Sequence, residues 1–165
     1  MITIKQILVA TDFSEPSDAA LTYGRELAMQ FGATLHVLHV AQNIYLTTLG
    51  AENYVAVTPG LQQEIEDSAR QRLHELVIDT DGSGPPTIPV VETATSPAAA
   101  IIDYAKTHAI DAIVMGTHGR GAFAHLLMGS VAERVVRFAP CPVLTVRHPE
   151  REFVQPDALV AVVKA

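Results

Sequence analysis

The chain has 165 residues, 48% of them hydrophobic and 18% charged, enough apolar material for one packed domain and too much for a disordered chain. Its 18 acidic and 11 basic residues give a net charge of -7, which argues against nucleic-acid binding, since affinity for a phosphate backbone needs a surplus of Lys and Arg on one face. Cys141 is the only cysteine, so neither an intrachain disulfide nor a cysteine-based zinc site can form; with no signal-peptide pattern and no apolar run near the ~20 residues that span a bilayer, a soluble cytoplasmic protein without a membrane partner is expected.

Ile7-Leu8-Val9-Ala10, within residues 4–11, is a short continuous apolar run of the kind buried on both faces of a parallel sheet. Ser14 and Pro16 signal a helix start, and Ala20, Tyr23, Leu27 and Phe31 recur at helical spacing, predicting an inward stripe that Gly32 ends. Residues 34–40 read as a second strand. A long polar connection then runs through Pro59 to a second helix with Leu61, Ile65, Ala69, Leu73 and Leu76 inward.

The breaker segment 81–86 precedes a third strand at 88–93, and Ser96-Pro97 opens a third helix whose stripe includes Ile101, Ile102 and Ala105. Residues 111–115 form a fourth strand that enters a glycine-bearing loop from Gly116 to Gly129. Ser130 then begins a helix with Val131, Val135 and Phe138 inward, and residues 142–146 make a fifth strand. Five strands alternating with four helices predict an α/β fold: one open, doubly wound parallel sheet with helices on both faces and ligands at the carboxyl ends of the strands. Residues 148–165 stand outside this alternation, and their run Ala158 to Val163 has the composition of an interaction segment.

The loop reads Gly116-Thr117-His118-Gly119-Arg120-Gly121, then Ala122 to Met128, then Gly129-Ser130-Val131. Glycines let backbone amides approach a phosphate, and a helix opening at Ser130 presents unpaired N–H groups and the positive end of its dipole. Ser130-Val131-Ala132-Glu133 also has the form of a capping box, which would turn the hydroxyl onto the helix amides instead. Arg120, His118 and His125 are candidate phosphate contacts or solvated loop cations. A lysine before Ser130, which a Walker A loop requires, is lacking, and the glycines do not follow the dinucleotide fingerprint. His36 and His39, three apart on a strand, face opposite ways and suit a metal poorly.

With its spacing of glycine, two residues, glycine, nine residues, glycine, serine, the loop resembles the nucleotide-binding motif of the universal stress protein family. Val9-Ala10-Thr11-Asp12-Phe13-Ser14 and Pro140-Cys141-Pro142-Val143-Leu144-Thr145-Val146 extend the resemblance over roughly residues 3–147. It implies strand order 3-2-1-4-5 in an adenine nucleotide alpha hydrolase-like domain over 1–147. It also implies that Asp12 contacts the ribose or a phosphate-bound Mg ion, that the Val40 backbone reads the adenine edge, and that Gly116, Gly119, Gly129, Ser130 and Val131 surround the ribose and phosphates. Ala10, Thr11, Met115, His118 and Arg120 complete the expected ligand-binding set.

The expected ligand is ATP, with ADP and AMP as alternatives because glycine amides and one carboxylate do not fix the phosphate count. The leading functional reading is a nucleotide-responsive stress or signalling module. The alternatives are a slow Mg-dependent ATPase and a structural dimer that binds no nucleotide. The resemblance further implies a homodimer through the last strand, whose Val143-Leu144-Thr145-Val146 can pair at a sheet edge. Removing the residues after His148 is expected to lower the mass seen by light scattering or the melting temperature; an unchanged dimer with unchanged melting would exclude a role for this segment in the interface.

Overall fold

Ile7, Leu8 and Val9 are completely shielded from solvent, as consecutive strand residues are only when both faces of their sheet are covered. In a computed structural model, which describes residues 2–45, 59–78, 82–117 and 128–147, they lie on the central strand β1 (Gln6–Thr11). The chain continues through α1 (Glu15–Phe31), β2 (Thr34–Gln42), α2 (Leu61–Val77), β3 (Thr87–Ala94), α3 (Pro97–Thr107), β4 (Ala112–Gly116), α4 (Ser130–Phe138) and β5 (Val143–Val146). All four strand pairings are parallel and the order is β3-β2-β1-β4-β5, as expected. The predicted connection after β2 and the segment after Arg147 lie largely or wholly outside the described residues.

The two sheet faces carry separate cores. Ile7, Val9, Leu35, Val37 and Val114 pack beneath α1 and α2, whereas Leu8, Leu38, Ile113 and Met115 pack beneath α3 and α4. Ile101, Ile102 and Ala105 are buried as the periodicity of α3 predicts. The inward face of α1 differs from the prediction. Ser17, Ala20, Leu21, Gly24 and Ala28 are buried, while Tyr23 and Phe31 are 41% and 42% exposed. Small residues line the contact because the helix sits very close to the sheet: a Cβ added at Gly24 would lie 2.3 Å from Val9 Cγ2. Bulk is displaced to the flank.

Similar corrections hold at two other helices. Leu61 is exposed at the first turn of α2, where Ala69 and Leu73 make the buried contact, and Phe138 is 59% exposed at the end of α4, where Ala132 and Val135 face the core. Both helices meet the sheet mainly through their middle turns, so an apolar residue in a terminal turn overhangs it. α2 is fixed by polar contacts at both ends. Glu66 accepts a hydrogen bond from Thr93 Oγ1 at 2.7 Å, and Arg25 Nη2 donates to the Leu76 carbonyl at 2.6 Å.

The strand edges differ. Pro89, in β3, supplies no N–H to its edge of the sheet, whereas β5 contains no proline. At the amino ends of the strands, the Asp111 carboxylate accepts the Lys5 and Gln6 amides at 2.7 and 2.9 Å, pinning the start of β1. Nearby His36 is buried: its Nε2 donates to Gln6 Oε1 at 2.7 Å, so the neutral ring accepts at Nδ1 from the Tyr104 hydroxyl at 2.8 Å.

Burial, reinforced by nearby His108, holds the His36 pKa below its ordinary 6.5. The unfolded chain therefore binds more protons than the folded one just below pH 6.5. The stability that neutral His36 contributes is fully present above that pH and is lost as pH falls toward its folded pKa. Thermal melts between pH 7.5 and 5 are expected to show a steeper loss for the wild type than for His36→Gln; equal slopes would assign the titration elsewhere. Gly24→Ala is expected to cost about 1–3 kcal/mol through overpacking, exceeding the gain of up to about 1 kcal/mol in helix propensity. In a Val9→Ala background, the same substitution should be neutral or stabilising, as read by denaturant titration.

Candidate functional site

Only three residues, Asp12, Phe13 and Ser14, join β1 to α1. So short a turn requires an abrupt change of direction, and Phe13 provides it with a left-handed backbone, φ 62, that costs a non-glycine residue about 1–2 kcal/mol. A chain of hydrogen bonds holds this conformation. The Phe13 amide donates to Thr11 Oγ1 at 3.0 Å, and Thr11 Oγ1 lies 3.1 Å from Ser17 Oγ. Ser17 Oγ accepts the Ser14 amide at 3.0 Å and donates to the Ser14 carbonyl at 2.8 Å. Both hydroxyls are buried and satisfied, and among the described residues no buried side-chain N or O lacks a partner.

The same turn sets the carboxylate. Asp12 Oδ1 accepts both the amide of Ser14, at 3.2 Å, and its hydroxyl. This arrangement fixes Asp12 at the carboxyl end of the central strand. β2 lies on one side and β4 on the other, the place where the strand order reverses and α/β sheets bind ligands.

On the β4 side, Ala10 pairs with Met115, which places Gly116 and Thr117 opposite Thr11 and Asp12. Thr117 donates its amide to the Val146 carbonyl at 2.9 Å, and its own carbonyl accepts the Gly129 amide at 2.7 Å. The start of α4 is thereby drawn beside the end of β4. Gly129 is the N-cap and Ser130 is the first helical residue, exposed to solvent. The capping box that was one alternative for Ser130 is not formed. Glu133 instead donates its amide to the Gly129 carbonyl at 2.9 Å, because the helix begins one residue earlier than a cap at Ser130 requires. Val131 is partly buried in the core that includes Ala10, Val40 and Met115.

On the β2 side, Thr11 pairs with His39, so Val40 stands next to the level of Asp12. His39 Nδ1 donates to the Thr11 carbonyl at 2.9 Å, and its ring packs on Phe13 with centroids 4.3 Å apart. Arg72, from α2, places its guanidinium carbon 4.3 Å from the Phe13 ring centre. Beyond this stack opens a cleft of about 540 Å³ over the ends of β1, β2 and β3. Val40, Ala41, Ile65, Ala69, Ala94 and Pro97 supply its apolar walls. Asp12, Gln42, Ser68, Arg72 and Thr95 also line it.

The structure therefore brings Ala10, Thr11, Asp12, Val40, Met115, Gly116, Gly129, Ser130 and Val131 to one end of the sheet. His118, Gly119 and Arg120 lie outside the described residues, as does His125. Sequence reasoning missed Phe13, His39 and Arg72. Phe13 was adjacent to the aspartate that was singled out, whereas Arg72 falls outside the apolar stripe of its helix and carried no periodic signal. Among the described residues no group of three or more His, Cys, Asp and Glu is arranged to hold a metal, and no helix is long and apolar enough to cross a membrane.

The universal stress protein family profile matches residues 3–147. Universal stress protein MJ0531 of Methanocaldococcus jannaschii is 30% identical over 148 residues, covering 90% of this chain and 85% of that protein. The structure of the universal stress protein UspA from Lactobacillus plantarum superposes with a TM-score of 0.69 at 29% identity, over 88% of this chain and 99% of that one. That of the M. jannaschii protein MJ0577 gives 0.72 at 25% identity, over 89% and 98%. More distant structures with the same fold, both 20% identical, include a universal stress protein in complex with cAMP and one from Archaeoglobus fulgidus in complex with dAMP. With the family profile matched along nearly its whole length, the chain belongs to the universal stress protein family.

Proposed function

We propose that this protein binds an adenine nucleotide, ATP foremost, across the carboxyl ends of β2, β1 and β4, and that occupancy changes a surface read by a protein partner in the cytoplasm. The observation that carries the proposal is the place of Asp12. Its carboxylate is fixed by Ser14 between an apolar cleft on one side and the opening of α4 on the other. A nucleotide has the matching order: a flat base, a hydroxylated sugar and an anionic tail.

In this arrangement the base enters beside Val40 and the ribose lies against Asp12. The phosphates lie along Gly116, Gly129, Ser130 and Val131, where the first amides of α4 have no intrahelical acceptor and the helix dipole favours negative charge. Gly119, His118 and Arg120 belong to the same proposed set. An accompanying Mg ion would be held by the phosphates, with Asp12 alongside, since this site offers no three-residue metal group of its own among the described residues. The adenine-nucleotide complexes of related folds favour the same ligand class.

Asp12 is the only carboxylate among the described residues lining the cleft, and the ligand uses it. With no second carboxylate there to activate water, the reading is a binding module. A homodimer through β5 completes it. That edge strand exposes Leu144, and α4 beside it exposes Val136 and Phe138, apolar area that a second copy would cover.

Denaturing the purified protein and identifying the released small molecules by mass spectrometry, followed by ATP titration with and without Mg, tests the proposal. Adenine nucleotide or micromolar ATP binding is expected, and Asp12→Ala should weaken it about tenfold or more, with only the small drop in melting temperature that losing its bonds to Ser14 entails. Absence of both nucleotide and binding would leave the structural-dimer reading.

A further inference from the structure

Arg72 is treated by the fold unlike its neighbour. Two residues earlier on α2, Arg70 is tied to Glu66 at 3.1 Å and to Asp67 at 2.6 Å, ordinary surface pairs along one helix. Arg72 has no carboxylate within ion-pair distance among the described residues. Its guanidinium packs instead over the face of Phe13, which is backed in turn by His39. A face contact restrains the guanidinium without using its N–H groups, and an arginine keeps its charge at any physiological pH. The chain thus holds a planar, hydrogen-bond-donating cation in the lining of a largely apolar cleft, on a helix anchored by Glu66–Thr93 and Arg25–Leu76.

We propose that Arg72 is a specificity-determining residue that hydrogen-bonds the acceptor-bearing edge of the nucleobase in this cleft. The proposal rests on the nucleotide reading above and deepens it. The location selects the base over the phosphates. Arg72 lines the cleft over β1, β2 and β3, whereas Gly116 and Gly129 lie across β1 on the β4 side. Walls such as Val40, Ile65 and Ala69 cover the faces of a base, whose ring nitrogens need donors in exchange for the water they lose; Gln42, Ser68 and Thr95 also line the cleft, and Arg72 alone among the described lining residues presents a planar fork of N–H groups. The stacked guanidinium supplies those donors. Its rotation is already restricted by Phe13, so less freedom is lost on binding.

Calorimetric titration of ATP, AMP and adenosine into the wild type, Arg72→Gln and Arg72→Lys tests the assignment, with Arg70→Gln as a surface control and melting curves to establish folding. Arg72→Gln is expected to weaken all three ligands by a common factor of about five to ten. Arg72→Lys should recover little of this, having one rotating ammonium in place of a planar fork, and Arg70→Gln should match the wild type. Equal affinities for wild type and Arg72→Gln would overturn the assignment while leaving the nucleotide site intact. A loss that grows from adenosine to ATP would move Arg72 to the phosphates, and full recovery by lysine would reduce its role to charge alone; either result overturns a base-edge contact. If the wild type binds none of the three, the nucleotide reading fails and this inference with it.

Discussion

The close approach of α1 to β1 at Gly24 and Val9 is the constraint on which the rest of the molecule depends. A helix that comes within a missing methyl of the central strand is entered here through the three-residue turn after Thr11. That turn forces the left-handed backbone at Phe13, which projects the aromatic ring toward His39 and Arg72 and leaves Asp12 locked to Ser14. A packing requirement in the middle of the sheet is therefore expressed as the position of a carboxylate at its end.

The two ends of the sheet solve different problems. At the amino ends, His36 and Asp111 have their hydrogen-bonding capacity taken up by Gln6, Tyr104 and backbone amides, an arrangement that fixes strands and presents little to a ligand. At the carboxyl ends, β2 and β4 flank β1 where the strand order reverses. The polar groups there are held by local bonds such as Thr117 to Gly129, which position a helix start without covering it. Rigidity at one end and accessible donors at the other follow from the same parallel topology, since every strand delivers its loop to the same side.

Much of this architecture was legible in the sequence because its signals are local. Apolar-rich runs between turn signals marked the five strands, and Ser14 and Ser96 marked helix starts. Asp12 and Gly116 could be placed together because parallel alternation leaves few topologies. What failed was the choice between faces separated by a fraction of a turn. Tyr23 and Phe31 look more like core than Ser17, Gly24 and Ala28, and only the distance between helix and sheet, which no single segment encodes, reverses that order. At Ser130 the helix start was legible, and of the two roles open to its hydroxyl the cap does not form because Gly129 occupies the N-cap position. Arg72 was invisible because its partner, Phe13, comes from the distant turn after β1.

Pro89 carries a consequence for how such sheets can grow. In the vocabulary of polymer chemistry, a subunit with two reactive edges is a chain extender and one with a single reactive edge is a chain stopper. Proline in β3 withholds a donor from one edge, while β5 keeps a full complement at the other. Any edge-to-edge association is thereby disfavoured at β3 relative to β5. Two molecules joined through β5 would present only their β3 edges outward, a geometry that favours a pair over propagation into a fibre.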